Sequence, residues 1–190
     1  METSITPETR PTLPDLHLSG ENVRLRPLAP DDNTALAATG LPVADPSSGD
    51  RRSSAAYIEA ALEERRLGCR IPLAIEWHGL VWGGSELAPR REWLFVGTSS
   101  FFVPPRAPDA GDTWEIGATW VAPSVCHSRC LTECRLLMLA YAFEQSVTKV
   151  VVGSAEAGPL AVVEADEWPA IRRQLRSQLS SPVRRNDSAW

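Results

Sequence analysis

Hydrophobic and polar positions alternate first at residues 16–28. There Val23 and Leu25 are interleaved with Arg24 and Arg26, as in a half-buried strand. Pro30-Asp31-Asp32 then carries a helix-start signal, and a short helix is predicted to run to Ala38. Residues 41–50 read as a Pro/Ser/Gly linker. A second helix is predicted over 53–67, closed by Gly68. Residues 70–77 form a strand pattern, 78–91 a Gly-rich loop, 92–103 another strand and 104–112 a Pro-rich turn.

The strongest pattern spans residues 114–145. The aromatic and β-branched run 114–121 predicts a partly buried strand, which Pro123 should stop. After a polar loop, Leu136, Leu137, Leu139, Ala140, Phe143 and Val147 recur at helical spacing and predict one apolar stripe. A short strand over 148–152 and another over 160–164 follow. A closing helix begins near Asp166 or Glu167, with Pro169 in its first turn. Residues 1–14 lack periodicity and read as an arm, 15–180 as one domain, and 181–190 as a polar tail.

The helix that opens off the strand at 114–121 would present unpaired N–H groups, a natural seat for a phosphate-bearing ligand. This stretch carries a resemblance. Glu115-Ile116-Gly117, Trp120, Ala122-Pro123-Ser124 and Thr132-Glu133 before the leucine-rich helix resemble the Gcn5-related N-acetyltransferase superfamily. The pattern is most similar to the branch of ribosomal-protein N-terminal acetyltransferases, as is LxGxxVRLRPLxxxD at 18–32.

The resemblance implies an α/β fold, a mixed and mostly antiparallel sheet flanked by helices. It implies acetyl-CoA as cofactor, with strand residues Trp120, Val121 and Ala122 along the pantetheine arm. The loop Cys126, His127, Ser128, Arg129, Cys130 and Leu131 would hold the pyrophosphate. It also implies Glu115 as the base that takes the amine proton. The sequence departs from the family in two places. Cys126, Arg129 and Leu131 stand where the loop motif has Gln or Arg, Gly, and Gly or Ala. After Val152 a helix and a strand of the family have no counterpart, so the C-terminal half is shortened and no position inherits a thiolate-protonating role from that helix.

Arg129 adds both positive charge and bulk where glycine is expected. Cys126, Cys130 and Cys134 recur every fourth residue, with His127 adjacent. A zinc site, a thiolate activated at a helix start and small buried hydrophobes all suit that spacing. The last reading is the plainest, and no metal is assigned. Trp77 and Trp82, beside the long loop, are candidates for an aromatic acceptor pocket.

Composition narrows the partners. A net charge of −5 and a pI near 5.3 argue against nucleic acid. No apolar run is long enough for a bilayer and the N-terminus lacks a signal-peptide pattern, so a cytoplasmic location is expected. Eighteen Arg against one Lys, Lys149, points to a GC-rich bacterial genome. The expected activity is N-acetyl transfer to a small amine or a protein N-terminus. The alternative is a diverged scaffold that has lost acetyl-CoA chemistry and serves another small-molecule ligand in specialised metabolism. A homodimer is left open.

Overall fold

The computed structural model describes residues 13–40, 53–81, 90–103, 113–126, 129–153 and 161–181. Seven strands form one sheet in chain order: β1 (Leu18–Ser19), β2 (Val23–Pro27), β3 (Arg70–Val81), β4 (Arg90–Phe102), β5 (Thr113–Val121), β6 (Lys149–Val152) and β7 (Ala161–Glu164). Every neighbouring pair is antiparallel except β5 and β6. Parallel strands need a crossover, and the helix of residues 130–144 supplies it. The expected mixed, mostly antiparallel α/β architecture is present.

Two helix layers cover the sheet. A 3-10 turn at Pro30–Asp32 leads into α1 (Asn33–Ala38), and α2 (Ser54–Arg66) follows. These pack on one face through Leu28, Leu36, Ile58 and Ala61 against Ala74. The Ser53 hydroxyl caps α2 by accepting from Ala56 N–H, and Gly68 ends it at a φ of +79°. On the other face lie α4 (Cys130–Glu144) and α5 (Trp168–Ser180), with α3 (Pro123–Cys126) as a single turn between β5 and α4. Phe101, Ile116, Met138 and Val150 lie at the centre of that larger core. Phe143 stacks on Trp168 at 5.4 Å, which seats α5 on α4.

Two sequence expectations change. Residues 78–81 and 90–91, read as part of a loop, are paired strand: His78 faces Trp93 and Val81 faces Arg90. Glycine weakens a strand on its own, but cross-strand pairing decides, and His78 stacks on Trp93 at 4.8 Å. Second, Leu139 and Val147 of the expected stripe are buried, but the deepest line of α4 is Cys130, Cys134, Met138 and Ala142, at four-residue spacing, while Leu136 and Leu137 lie on its flanks.

An ion-pair network fixes the start of α1. Arg26 reaches Asp32 through both terminal nitrogens, at 2.7 and 2.8 Å, and Glu76 through Nε at 2.8 Å. Burial opposes ionisation of Asp32, but the Arg26 bonds and the Ala29 N–H outweigh it and hold the carboxyl below its usual range.

Candidate functional site

β5 contains a bulge. Thr98 of β4 pairs with Trp120 and Ser100 with Gly117, so Ser99 faces both Ala118 and Thr119. Ala118 sits at a φ of +47°, a conformation disfavoured for an L side chain. β6 pairs with β5 only over Thr113–Ile116, with Gly153 N–H adding a bond to Ile116 carbonyl at 2.8 Å. Past Ile116, β5 has no strand partner on that side among the described residues. The bulge therefore lies where two parallel strands part, and an open strand edge offers unpaired backbone groups to a ligand.

Glu115 is exposed at the start of this opening. Its Oε1 lies over two glycines: a Cβ at Gly117 would stand 2.8 Å from it and one at Gly153 3.5 Å. The ring of Phe102 borders the same spot. The carboxylate thus looks into space kept clear by missing side chains.

The face of the sheet that carries Glu115 also carries Arg70, Thr98, Ser100, Phe102 and Trp120. Trp120 donates its indole N–H to Thr39 Oγ1 at 3.1 Å, tying β5 to the end of α1. Thr98, Ser99 and Ser100 are fully buried hydroxyls opposite the bulge, and Ser99 meets Thr119 Oγ1 at 2.8 Å. Sequence reasoning passed over this run, although three hydroxyls inside an apolar strand were a visible signal.

The remaining sequence-derived candidates divide. Val121 is buried in the core, and Ala122 N–H is already bonded to Val96 carbonyl at 2.8 Å, so it has no donor to offer. Cys126 closes α3; His127, Ser128 and Trp82 lie outside the described residues. Arg129 directs its guanidinium to the Ser181 carbonyl beyond α5. Cys130 turns into the core, where burial and the Glu133 charge push its thiol up to about 12, and burial raises Cys134 further. These two thiols are packed as hydrophobes, not activated. Leu131 packs its side chain against the core. Among the described residues, the backbone N–H groups of Leu131 and Thr132 in the first turn of α4 are what this end of the helix offers an anion.

Trp77 does not share a site with Glu115. Arg70 pairs with Phe102 and Phe102 with Glu115, so Trp77 lies seven residues away along β3, about 23 Å at strand rise. It packs against the α4-side core instead. A cavity of about 430 Å³ opens between Pro30, Asn33 and the flank of α2 that carries Ile58, Leu62 and Arg66. That flank is opposite Tyr57 and Glu64, so the cavity does not reach Glu115.

Among the described residues no helix is long and apolar enough to cross a membrane, and no cluster of His, Cys, Asp and Glu suits a metal. No protein-family model and no curated protein matches the chain. Solved structures do. A GCN5-related N-acetyltransferase from Brucella melitensis superposes with a TM-score of 0.66 at 16% identity, covering 91% of this chain and 89% of that one. Mycobacterium smegmatis RimJ in complex with CoA-disulfide gives 0.53 at 17%, covering 83% and 69%. The microcin C7 self-immunity acetyltransferase MccE, in complex with acetyl-CoA and AMP, gives 0.53 at 13%, covering 82% and 78%. At these identities the likeness is one of architecture, and the chain has the fold of the GCN5-related N-acetyltransferases.

Proposed function

We propose that the protein is an N-acyltransferase that moves an acetyl group from acetyl-CoA to the amine of a small molecule or a protein N-terminus. The observation that carries this reading is the placement of Glu115. An exposed carboxylate lies over Gly117 and Gly153, beside a strained bulge, where β5 and β6 part.

The residues fit such a group. The edge of β5 past Ile116, without a strand partner among the described residues, suits the amides of a pantetheine arm, and the first-turn N–H groups of α4, at Leu131 and Thr132, suit a pyrophosphate. Bound acetyl-CoA would supply an acyl carbon activated as a thioester. Glu115 would take the amine proton, directly or through water. N–H groups at the bulge, Ala118 and Thr119, would polarise the acyl carbonyl. Trp120, fixed by Thr39, would wall the acceptor side.

Calorimetry or thermal shift with acetyl-CoA and free CoA tests this directly. Saturable micromolar binding is expected; none at millimolar ligand would retire the reading. Glu115→Gln should then abolish transfer and leave cofactor affinity nearly unchanged, and unaltered turnover would remove Glu115 as the base.

One observation favours a second reading, a scaffold that serves a different small-molecule ligand. Arg129 is engaged on Ser181, and Cys130 on the core, so neither side chain is turned toward an anion at α4.

A further inference from the structure

Across the sheet, Glu115 stands in a row of directly paired residues. Arg70 of β3 pairs with Phe102 of β4, Phe102 with Glu115 of β5, Glu115 with Val151 of β6, and Val151 with Val162 of β7. Directly paired residues point their side chains to one face, so all five stand on the face that carries α1 and α2. One end of the row is covered. Arg70 is only 6% exposed, and its guanidinium donates to Glu64 Oε2 at 2.9 Å and to the Tyr57 hydroxyl oxygen at 2.8 Å, both on α2.

The other end is open among the described residues. Val162 is 49% exposed, whereas Val163, its neighbour on the opposite face, is 6% exposed. Neither core takes in Phe102, Val151 or Val162. A sheet face open to water ordinarily carries polar residues, yet here the positions after Glu115 are valines. The next row, Thr113, Lys149 and Glu164, ends in an ion pair at 3.0 Å that neutralises itself. On the other side of the valine row, Gly117 and Gly153 put no side chain beside the carboxylate. The result is a carboxylate with an apolar shelf next to it. The shelf reaches about 10 Å, two strand spacings, from Glu115 to Val162.

We propose that Val151 and Val162 are specificity-determining residues for the acceptor, and that the acceptor is a lipophilic primary amine. This deepens the acetyltransferase reading above and rests on it. The ammonium group meets Glu115, the one charge of the row without a cation beside it. The carbon chain lies across Val151 and Val162, and the bare backbone at Gly117 and Gly153 leaves room at the nitrogen. A peptide N-terminus fits worse, because backbone amides laid on the valines lose water without gaining a partner.

The test uses the full chain, with butylamine, hexylamine and octylamine as probes and a peptide with N-terminal alanine for comparison. Turnover with acetyl-CoA gives kcat/KM, and calorimetry without cofactor gives amine affinity. A shelf that covers one side of the chain should add about twofold per methylene, half the free energy of full burial, so octylamine should exceed butylamine about sixteenfold in both measurements. Val151→Thr combined with Val162→Thr keeps both side chains β-branched and should cut that preference to about twofold. The preference is a ratio, so a loss of active protein leaves it unmoved. A flat series, an undiminished preference in the double variant, or faster transfer to the peptide than to octylamine would overturn the proposal. So would a dimer that dissociates on Val162→Lys, since a second copy would then occupy the shelf. An octylamine preference in calorimetry with no binding of acetyl-CoA would instead sink the acetyltransferase reading and leave the shelf as an amine site.

Discussion

Gly97 offers a test of how tightly β4 and β5 are held at the bulge. A Cβ there would stand 2.0 Å from the carbonyl oxygen of Trp120, 2.9 Å from its carbonyl carbon and 3.0 Å from Val121 Cα. All three are backbone atoms, so no side chain can rotate away. Restoring an ordinary carbon–oxygen contact of about 3.3 Å requires the strands to separate locally by roughly 1 Å. The Ala122 N–H bond to Val96 carbonyl, at 2.8 Å, would stretch beyond a useful length, and its neighbour in the ladder with it. Two bonds at about 1 kcal/mol each, plus an unsatisfied buried group at about 1–3 kcal/mol, give a loss of roughly 3–5 kcal/mol for Gly97→Ala. For a chain of this length that is a fall in Tm of about 6–20 °C. Gly79→Ala is the matched control. Its Cβ would meet the Trp77 side chain at 3.1 Å and Leu94 Cδ1 at 3.5 Å, atoms that can shift, and its cost should stay below about 1 kcal/mol. Urea unfolding of both variants, with m-values compared, separates them. Equal stability of the two would refute the close approach of β4 to the Trp120 carbonyl.

Two further outcomes follow from buried groups. Glu133, in the first turn of α4, accepts the Asn22 N–H at 2.9 Å and joins that helix to the β1–β2 turn. Glu133→Ala should cost about 2–3 kcal/mol and Glu133→Gln clearly less, read from denaturant midpoints; equal losses would show that packing, not the hydrogen bond, matters. The raised thiols of Cys130 and Cys134 make stability fall with alkalinity. Above the ordinary thiol value of 9.0 the unfolded chain sheds protons that the folded chain keeps, until the pH approaches about 12 for Cys130. The slope should approach about 1.4 kcal/mol per pH unit for each ionised thiol, and Cys134→Ala should flatten it between pH 9 and 10. An unchanged slope in that variant would show that other groups set the alkaline limit.

Much of the frame is legible in the sequence because its signals are local. The β-branched run at 113–121, the stop before Pro123, the Ser53 cap and the Gly68 terminator each act within a few residues. What escapes is set by pairing across long separations. Residues 78–81 look like loop because glycine is rare in strands, yet pairing with Arg90 to Trp93 holds them in register. The bulge leaves one local trace, Gly117-Ala118 interrupting the run, but its positive φ is fixed by Ser99 on another strand. The Tyr57–Arg70 bond joins a helix to a strand, and nothing near Arg70 in sequence announces it beyond a charge at the head of an apolar stretch. Glu115 is singled out by resemblance alone; the two glycines that clear its surroundings are brought together by the β5–β6 pairing.

If the protein is the acetyltransferase proposed above, the asymmetry of the two faces bears on acceptor choice. β7 returns antiparallel to β6, and α5 then packs on α4 through Trp168, Ile171 and Leu175. Among the described residues, no helix after β6 packs on the face covered by α1 and α2. On that face Glu115 has Phe102 beside it and α2 as the adjacent wall, with Glu64 and Tyr57 held down by Arg70. Arg70 and Glu64 cancel, which leaves the Glu115 carboxylate as the uncompensated charge of this group. A carboxylate next to an aromatic ring, over open backbone, favours a protonated amine that carries little bulk at the nitrogen. On that reading, selectivity beyond that and beyond the valine shelf would fall to the residues that fix the two ends of the opening, Trp120 with Thr39 at one and Glu64 with Arg70 at the other. On that reading, discrimination among acceptors would also be a property of how α1 and α2 sit on the sheet, and the ion pair and hydrogen bonds that seat them would belong to the site as much as Glu115.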